Sequence, residues 1–319
     1  MQEPLILLVG PTAVGKTALS LPLAEALGAE IVSVDSRQIY QDMNIGTAKP
    51  SRAEQAQVRH HLLDVLRPDQ ATNAAQFVMA AHPVLTALQQ RGKRILVVAG
   101  SGLYAQALLY GLMPVPAAYG PLRRVLYAYA AQHGTPALHR RLQCVDPVTA
   151  ASYHPNDRLR LVRALEVTYL TGEPFSVHCQ RHQQHAPLWP YIGVALTRER
   201  ADLQGRIVAR TEAMLAAGWV AEIQGLLAQG YRRQSGALQS LGYRELLAYL
   251  AGELAWPETV CRIQHATWQL AKRQLTWFRK MPALHWVNLS TMDDHMVVPM
   301  LLQHLQAKLA EHRRSCAER

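Results

Sequence analysis

The chain has 319 residues, of which 49% are hydrophobic, and this excludes a disordered chain and predicts about two globular domains. Lys and Arg number 33 against 23 Asp and Glu, and the formal charge of +10 favours a nucleic-acid partner, with a basic solvated surface as the alternative. The four cysteines form no C-x-x-C pair and no apolar run approaches the roughly 18 residues that span a bilayer, so we expect a cytoplasmic protein with no disulfide and no membrane partner.

The first predicted element is a strand, a phosphate loop and a helix. An apolar run precedes the motif GPTAVGKT, and an alanine- and leucine-rich run follows it at residues 18–27. Glycines in such a loop let successive N–H groups and the helix N-terminus point at one cluster of anionic oxygens. Lys16 would add a positive charge, and the Thr17 hydroxyl would hold Mg²⁺. A chance match in a turn is the alternative, and Pro22 predicts a kink or an early end of the helix.

Polar residues follow the second predicted strand, at residues 30–34. Ligands of open α/β sheets bind at the carboxyl ends of the strands, so we expect Asp35 to face the phosphate-loop site. Its carboxylate could be a general base, a metal ligand or the N-cap of the next element, and the residues alone leave these three alternatives open.

A third strand is predicted at residues 93–99, and it ends in the turn Gly100, Ser101 and Gly102. This turn faces the same crevice, where Ser101 either offers its hydroxyl to a ligand or only bonds its own backbone. The strand ends without an acidic residue, which counts against a motor ATPase.

A run of helices between prolines predicts an inserted α-helical domain at residues 114–190. It separates a first part of the core, residues 1–113, from a second part, residues 191–319. Within the insertion, a helix is predicted over residues 158–171, with an Asp as its N-cap and a Gly at its end. Its basic face either grips phosphates or is solvated.

The second part of the core is predicted to begin with a strand at residues 191–195 and a helix at 198–217. Arg206 and Arg210 lie one turn apart on that helix, so they could reach the phosphate site or face solvent. A leucine stripe near the C-terminus predicts a packing helix, and residues 312–319 are expected to be disordered.

The most basic stretch is KRQLTWFRK at residues 272–280. Its cations alternate with Trp277 and Phe278, which suits a surface that follows an RNA backbone and stacks unpaired bases. The alternative is a cationic helix whose aromatic residues belong to the core.

Six motifs occur in a fixed order: GPTAVGKT, DSRQIY with GTAKP, GSGLYAQALL, NDRLRLVRALEV with TGEP, QSLGYRE and LAKRQLTWFRK. In this order they resemble the bacterial tRNA dimethylallyltransferases, also called tRNA isopentenyltransferases, over nearly the whole chain. The fold class expected is α/β: a P-loop core with a parallel sheet flanked by helices, plus an inserted all-α domain. The resemblance implies transfer of a dimethylallyl group from its diphosphate to the exocyclic amine of adenosine 37, beside the anticodon of tRNA.

The resemblance also implies roles for single residues. Asp35 would accept the proton of the adenine amine, and Thr17 would hold Mg²⁺. The implied catalytic residues are Asp35, Lys16, Thr17, Ser101 and Arg123. The implied diphosphate-binding residues are Gly10, Pro11, Thr12, Ala13, Val14, Gly15, Lys16, Thr17 and Arg210. The implied tRNA contacts are Asp35, Ser36, Arg37, Gln38, Ser101, Arg123, Leu159, Arg160, Leu161, Val162, Arg163, Ser240, Leu241, Gly242, Tyr243, Arg244, Glu245, Arg273, Gln274, Trp277 and Lys280.

The expected partners are the anticodon stem-loop of tRNA and dimethylallyl diphosphate, bound by a monomer. The sequence departs from the family pattern at two places: the usual Gly-Gly-Thr-Gly turn begins here with Ala99 and carries Ser101, and Trp268 replaces a common arginine. The two rival functions are a small-molecule P-loop kinase and a non-catalytic RNA-binding protein.

Overall fold

The computed structural model describes residues 3–317, with side chains to residue 315. The chain forms two compact units, one from the segments before Tyr110 and after Pro187, and the other from Tyr110–Pro187. The second unit starts and ends a few residues before the predicted bounds of the insertion at 114 and 190. None of the helices within the described part of the chain is long and apolar enough to cross a membrane.

The first unit is built on one sheet of six parallel strands. Their order across the sheet is β3-β2-β4-β1-β5-β6. The central strand β1 is buried along its full length, as expected for a strand covered on both faces. The strands are β1 (Leu5–Val9), β2 (Ala29–Val34), β3 (His60–His61), β4 (Arg94–Ala99), β5 (Tyr191–Thr197) and β6 (Leu284–Asn288).

Helices cover the sheet of the first unit. They are α1 (Lys16–Leu27), α2 (Arg52–Gln57), α3 (Ala74–Gln90), α4 (Gly102–Tyr110), α10 (Arg200–Ala216), α11 (Trp219–Ala228), α12 (Tyr243–Leu250), α13 (Trp256–Phe278) and α14 (Asp294–Ala317). Leu23 and Leu27 of α1 share a buried apolar cluster with Leu301 and Leu305 of α14 and with side chains of the sheet. The parallel sheet and the packing role of the leucine stripe are as predicted.

Two expectations about helix ends are wrong: that α1 ends early at Pro22, and that residues 312–317 are disordered. The alternative for Pro22, a kink, stays a prediction. Helix α1 continues through Pro22 to Leu27, because the buried side chains on both sides of the proline hold it against the sheet. The carbonyl of Ala18, which Pro22 cannot reach with an N–H, lies at an exposed residue where water can bond it. Helix α14 extends to Ala317, so residues 312–317 are helical and not disordered; residues 318–319 lie outside the described residues.

The last strand, β6, is not predicted from the sequence. Its residues LHWVN alternate little, and only Val287 in it is buried, because β6 lies at the edge of the sheet beside β5. An edge strand buries few side chains and therefore leaves a weak hydrophobic signal.

The second unit is a bundle of short helices: α5 (Gly120–His133), α6 (Thr135–Val145), α7 (Pro147–Ser152), α8 (Arg158–Thr171) and α9 (Phe175–Gln183). Its core is formed by Leu126, Leu138, Leu142, Leu161 and Leu165. Helix α8 begins and ends as predicted: Asp157 accepts a hydrogen bond from the Arg160 N–H, and Gly172 takes the left-handed conformation.

The buried side chain of Trp219, at the start of α11, packs between two glycines. Both Gly46 and Gly242 lie so close to its indole that a β-carbon at either position would overlap the ring. Gly242 also has a φ of 85°, a region that L-residues with side chains rarely adopt. The ring therefore fixes the loop at Gly46 and the start of α12 at once.

We expect Gly242→Ala to lower the free energy of unfolding by about 2 kcal/mol or more, because the added methyl group overlaps the buried Trp219 ring. The matched control is Gly225→Ala, inside α11, where a β-carbon meets no atom within 4 Å. It should stabilise the protein by about 0.5–1 kcal/mol through helix propensity. Urea titrations of both variants would measure the two shifts, and a neutral Gly242→Ala would contradict this packing of the indole.

Candidate functional site

The carboxyl ends of β1, β2 and β4 meet at one edge of the sheet and open into a small cleft. The side chains that line it include Lys16, Thr17, Ser33, Asp35 and Gln38, with the backbone of Gly100 opposite. Ligands of open parallel sheets bind at this edge, so the predicted phosphate and carboxylate sites coincide here.

The phosphate loop between β1 and α1 has the backbone shape that the glycines predicted. Gly15 has a φ of 116° and caps α1 without a side-chain hydrogen bond. The first N–H groups of a helix have no acceptor within the helix, so they are left free for an anion. Ala13 also has a positive φ, 64°, which completes the curl of the loop.

Three side chains from later elements hold the phosphate loop from outside. Arg198, directly after β5, donates from Nε to the Val14 carbonyl at 3.0 Å, and Arg206 of α10 donates likewise to Ala13 at 3.0 Å. Gln274 of α13 accepts a hydrogen bond from the Thr12 N–H at 2.8 Å. Arg206 therefore reaches the phosphate loop and does not simply face solvent.

Lys16 lies folded over the loop. Its Nζ donates to the carbonyl oxygens of Gly10 at 2.8 Å and Pro11 at 2.9 Å. Burial, together with the neighbouring positive charge of Arg210, lowers the pKa of Lys16 from 10.5 to about 7, although Asp35 opposes this shift. An anionic group beside the ammonium would raise the pKa again, because opposite charge favours the protonated form.

Arg210, one turn after Arg206, belongs to the same charge cluster. Burial lowers the pKa of its guanidinium below the usual value, with Asp35 opposing the change and Arg206 adding to it. The structure thus brings Lys16, Arg210 and Asp35 together, as the diphosphate assignment of Arg210 requires.

Asp35 uses its two carboxylate oxygens differently. Oδ1 accepts hydrogen bonds from the Arg37 N–H at 2.8 Å and the Gln38 N–H at 3.3 Å, which close the turn after β2; Asp35 caps no helix, because the next helix, α2, has Ser51 as its N-cap. Oδ2 points at Gly100, where a β-carbon would lie 2.9 Å away, and no hydrogen-bond donor reaches it from residues 3–317. One oxygen fixes the side chain and the other can accept a proton.

The turn after β4 is tied to the turn after β2. The Ser36 N–H donates to Ser101 Oγ at 3.3 Å, so the Ser101 hydroxyl is part of this link, and the residue is half-exposed. Gln274 donates from Nε2 to the Gly100 carbonyl at 2.7 Å. Since its Oε1 binds Thr12, this buried amide joins the phosphate loop to the turn that faces Asp35.

The chemistry of the donor set fits Mg²⁺. The Thr17 hydroxyl has no hydrogen-bond partner within residues 3–317, and Asp35 Oδ2 lines the same cleft. Mg²⁺ takes one or two oxygens from a protein and completes its octahedron with water and substrate phosphates. The Thr17 hydroxyl could hold it this way.

The predicted RNA-contacting residues of the first unit divide by exposure. Arg37, Arg244, Arg273, Trp277 and Lys280 are exposed, whereas Ser240, Gly242, Tyr243, Glu245 and Gln274 are buried. Trp277 packs on Gly102 by its Cβ and is 37% exposed as a residue, while Phe278 is buried. Of the two aromatic residues in the basic stretch, Trp277 is therefore exposed as a stacking surface would be, and Phe278 belongs to the core.

In the second unit, Glu166 is fully buried and binds two arginines. Its carboxylate accepts two hydrogen bonds from Arg123, at 2.8 and 2.9 Å, and one from Arg163 at 2.6 Å. The side chains of Leu161 and Val162 lie in the core of the unit, and Leu159 and Arg160 are exposed. Glu166 thus anchors the guanidinium groups of Arg123 and Arg163. Their roles beside RNA stay predictions.

Sequence reasoning missed Arg198 and Glu222. Arg198 follows the carboxyl end of β5, so the rule that singled out Asp35 could also have found it. Glu222 of α11 accepts hydrogen bonds from the N–H groups of Asn44 and Ile45, both at 2.7 Å, and from the Tyr243 hydroxyl at 2.6 Å. No local signal marks Glu222, since its partners are distant in the chain.

Trp268, which departs from the family pattern, packs against Ala13, Leu203 and Ile207. The guanidinium of Arg200 lies 5.7 Å from its ring centroid and the ammonium of Lys272 lies 5.8 Å away. The indole thus supports the phosphate loop from behind and keeps cations nearby.

Comparisons with known proteins agree with one another. A protein-family model described as IPP transferase matches residues 38–281. A tRNA dimethylallyltransferase of Geobacter sulfurreducens is 45% identical over 284 residues, which is 89% of this chain and 91% of the relative. That of Symbiobacterium thermophilum is 46% identical over 292 residues, 91% of each chain.

Solved structures have the same fold. The crystal structure of the tRNA isopentenylpyrophosphate transferase of Bacillus halodurans has a TM-score of 0.73 and 34% identity, covering 98% of this chain and 99% of its own. A eukaryotic dimethylallyltransferase captured acting on tRNA has a TM-score of 0.77, covering 100% of this chain and 80% of its own. At 24% identity this last likeness shows the fold alone.

The low pKa of Lys16 makes anion binding depend on pH. Because the folded-state pKa of about 7 lies below the ordinary 10.5, the folded protein lacks this proton between those values while the unfolded chain keeps it. The free energy of unfolding therefore rises with pH in that window. When inorganic diphosphate binds at about pH 8.5, Lys16 should take up close to one proton.

Titration calorimetry in two buffers of different ionisation enthalpy would measure this proton uptake. Lys16→Met is the control, because its uptake comes from protonation of the ligand alone. Equal uptake by the two proteins would contradict the assignment of Lys16 to the anion.

Proposed function

This chain belongs to the IPP transferase family and is an enzyme that transfers a dimethylallyl group to tRNA, and from that premise we propose how its own residues perform the transfer. The substrates proposed are dimethylallyl diphosphate and the anticodon stem-loop of tRNA, and the acceptor is the exocyclic amine of adenosine 37. Family membership also decides against the two rival functions, the kinase and the non-catalytic RNA-binding protein.

The observation that carries the mechanism is the arrangement of Asp35, Lys16 and Thr17 around one cleft at the carboxyl ends of the strands. A proton acceptor and an anion site lie side by side there. A transfer from a diphosphate to an amine needs both, because the amine must lose a proton while the diphosphate gains charge as it departs.

The phosphate loop stabilises the leaving group in this proposal. The bond between the allylic carbon and the diphosphate oxygen breaks, and the electron pair stays on the diphosphate. The free N–H groups at the start of α1 and the ammonium of Lys16 bind those oxygens, and Arg210 adds a second positive charge. Mg²⁺, held by Thr17, would supply further charge neutralisation when bound.

Asp35 activates the acceptor. An exocyclic adenine amine is a poor nucleophile, since its lone pair is delocalised into the ring. As the new carbon–nitrogen bond forms, the amine proton passes to Asp35 Oδ2, the oxygen that faces Gly100. Its Oδ1 stays bonded to the Arg37 and Gln38 N–H groups, so the base keeps its orientation during the transfer.

The target base has to leave the stack of the RNA loop to reach Asp35. This costs a few kcal/mol, and less in an unpaired loop than in a duplex. The exposed cations Arg37, Arg244, Arg273 and Lys280 of the first unit are proposed to bind the RNA backbone, and the exposed Trp277 to contact a base.

Asp35→Asn removes the proton acceptor and keeps the hydrogen bonds that hold the side chain in place. The amide oxygen can still accept from the Arg37 and Gln38 N–H groups, whereas the proton-accepting charge is lost. We expect kcat to fall by about 10²- to 10⁴-fold, with the tRNA dissociation constant and the melting temperature nearly unchanged.

Transfer of radiolabelled dimethylallyl from its diphosphate to unmodified tRNA would measure this effect. Asp42→Asn, an exposed aspartate of the same segment, is the matched control and should keep full activity. Full activity of Asp35→Asn would remove the carboxylate from the role of base.

Gly100→Ala tests the position of the base without touching its charge. The added β-carbon would lie 2.9 Å from Asp35 Oδ2 and 3.7 Å from Gln274 Nε2, so the carboxylate must move. We expect kcat to fall by about tenfold or more while the binding of inorganic diphosphate is kept. A variant with normal kcat would mean that Oδ2 need not lie against this turn.

A further inference from the structure

One groove of the first unit lies outside the cleft described above and is assigned no role there. It has a volume of about 680 Å³ and is lined by Arg67, Asp69, Gln229, Tyr231, Arg232 and Gln234. Its size falls within the range of ligand sites, roughly 300–1,000 Å³. Its lining of cations, amides and one aromatic ring is unlike an apolar protein-docking surface.

Both walls of the groove are attached to the segment that carries Asp35. Arg67 directly follows Leu66, which pairs with Ile39 and Gln41 through backbone hydrogen bonds of 3.0 and 2.8 Å. On the other wall, the residue after Ser235 is Gly236, whose carbonyl accepts a 3.5 Å hydrogen bond from Arg37. The groove therefore begins within a few residues of the proposed catalytic base.

The polar groups of one wall are free to bind a ligand. Within residues 3–317, the side chains of Gln229, Tyr231, Arg232 and Gln234 have no hydrogen-bond or ion-pair partner, and Arg232 and both glutamines are exposed. The adjacent Arg233 differs, because its guanidinium binds Glu253 at 3.0 Å. Four neighbouring polar groups left without partners are a surface suited to recognition.

On the opposite wall, the two charged side chains neutralise each other. Arg67 and Asp69 form an ion pair at 3.3 Å, so the carboxylate in the groove is neutralised by its neighbour. Arg232 is then the cation of the groove that no carboxylate offsets within the described residues. A single unpaired guanidinium beside an aromatic ring and two amides matches one nucleotide: phosphate, base face and base edge.

We propose that this groove, here called the Tyr231 groove, binds a nucleotide that flanks the target adenosine in the substrate RNA. Tyr231 stacks on its base, Arg232 binds its phosphate, and Gln229 and Gln234 contact the edge of the base. The inference rests on the proposed function and adds a specificity site to it. When the target base leaves the stack toward Asp35, its neighbour has to be held as well, and both walls of the groove are bonded to the segment that carries Asp35.

Arginine substitutions test the phosphate contact. Arg232→Gln should raise the dissociation constant for unmodified tRNA by about tenfold and reduce the slope of log affinity against log salt by about one. Arg233→Gln removes the same charge one residue away and should change the affinity by less than about twofold, since its guanidinium is already paired. Equal effects of the two variants, or none from Arg232→Gln, would overturn the proposal.

A fluorescent base tests the stacking contact. 2-Aminopurine placed on either side of the target adenosine in an anticodon stem-loop should be quenched by the wild-type protein, as well as by Tyr231→Phe, and not by Tyr231→Ala. Melting temperatures show whether each variant is folded, and Arg232→Gln tests the groove independently if Tyr231→Ala is not. Quenching that persists in a folded Tyr231→Ala would sink the stacking role.

Free AMP distinguishes a subsite for RNA from a site for free nucleotides. Titrated without RNA, it should bind only weakly and independently of Arg232; tight, Arg232-dependent binding would mean a free-nucleotide site instead. The binding and fluorescence assays need no catalysis, so a wild-type protein that bound RNA in this way without transferring dimethylallyl would contradict the proposed function alone. Active wild type with RNA binding unchanged in every variant would contradict this inference alone.

Discussion

The buried ammonium of Lys16 lies beside the guanidinium of Arg210, and the carboxylate of Asp35 offsets part of their repulsion. Burial disfavours the charge of Lys16, and the neighbouring Arg210 adds to this; together they lower the pKa of Lys16. The cluster is kept in place because the surrounding elements fix it, and a diphosphate is the kind of ligand that would balance it. The same charges that oppose each other can therefore stabilise a departing anion.

The phosphate loop is held by residues far away in the chain. Arg198, Arg206 and Gln274 all bond its backbone, and each comes from the segment after the inserted unit. Preorganised donors act on a developing charge without first having to rearrange, which is why such support matters for the reaction. Gln274 also links the loop to the turn at Gly100, so one amide positions the anion site and the wall of the base.

Two acids outside the cleft, the half-buried Glu222 and the buried Glu166, position other parts of the molecule. Glu222 collects N–H groups of the loop at residues 44–46 and the hydroxyl of Tyr243, and Glu166 anchors Arg123 and Arg163 in the second unit. Removing one partner from a buried network such as that of Glu166 costs more than the hydrogen bonds contribute, because charged groups are then left unpaired. These two glutamates therefore act through structure.

Local patterns in the sequence were enough for much of the fold. The phosphate loop, the parallel strands β1, β2, β4 and β5, helix α8 with its two caps and the helical insertion follow from apolar runs, glycines and capping residues close together in the chain. The place of Asp35 at the end of a strand predicted that it faces the cleft, whereas its role as the base came from the resemblance to the family. The sequence did not predict edge strand β6 or the continuation of α1 through Pro22, because tertiary packing decided both.

The sequence by itself thus determined which residue types stand at the carboxyl ends of the strands, because strand periodicity and loop chemistry are local. Only the tertiary structure decided which of them meet: that Arg206 and Arg210 turn toward the phosphate loop, that one oxygen of Asp35 is tied and the other free, and that Gln274 is buried between two loops. Contacts between segments more than a hundred residues apart depend on how helices pack on the sheet, and no local pattern encodes that geometry.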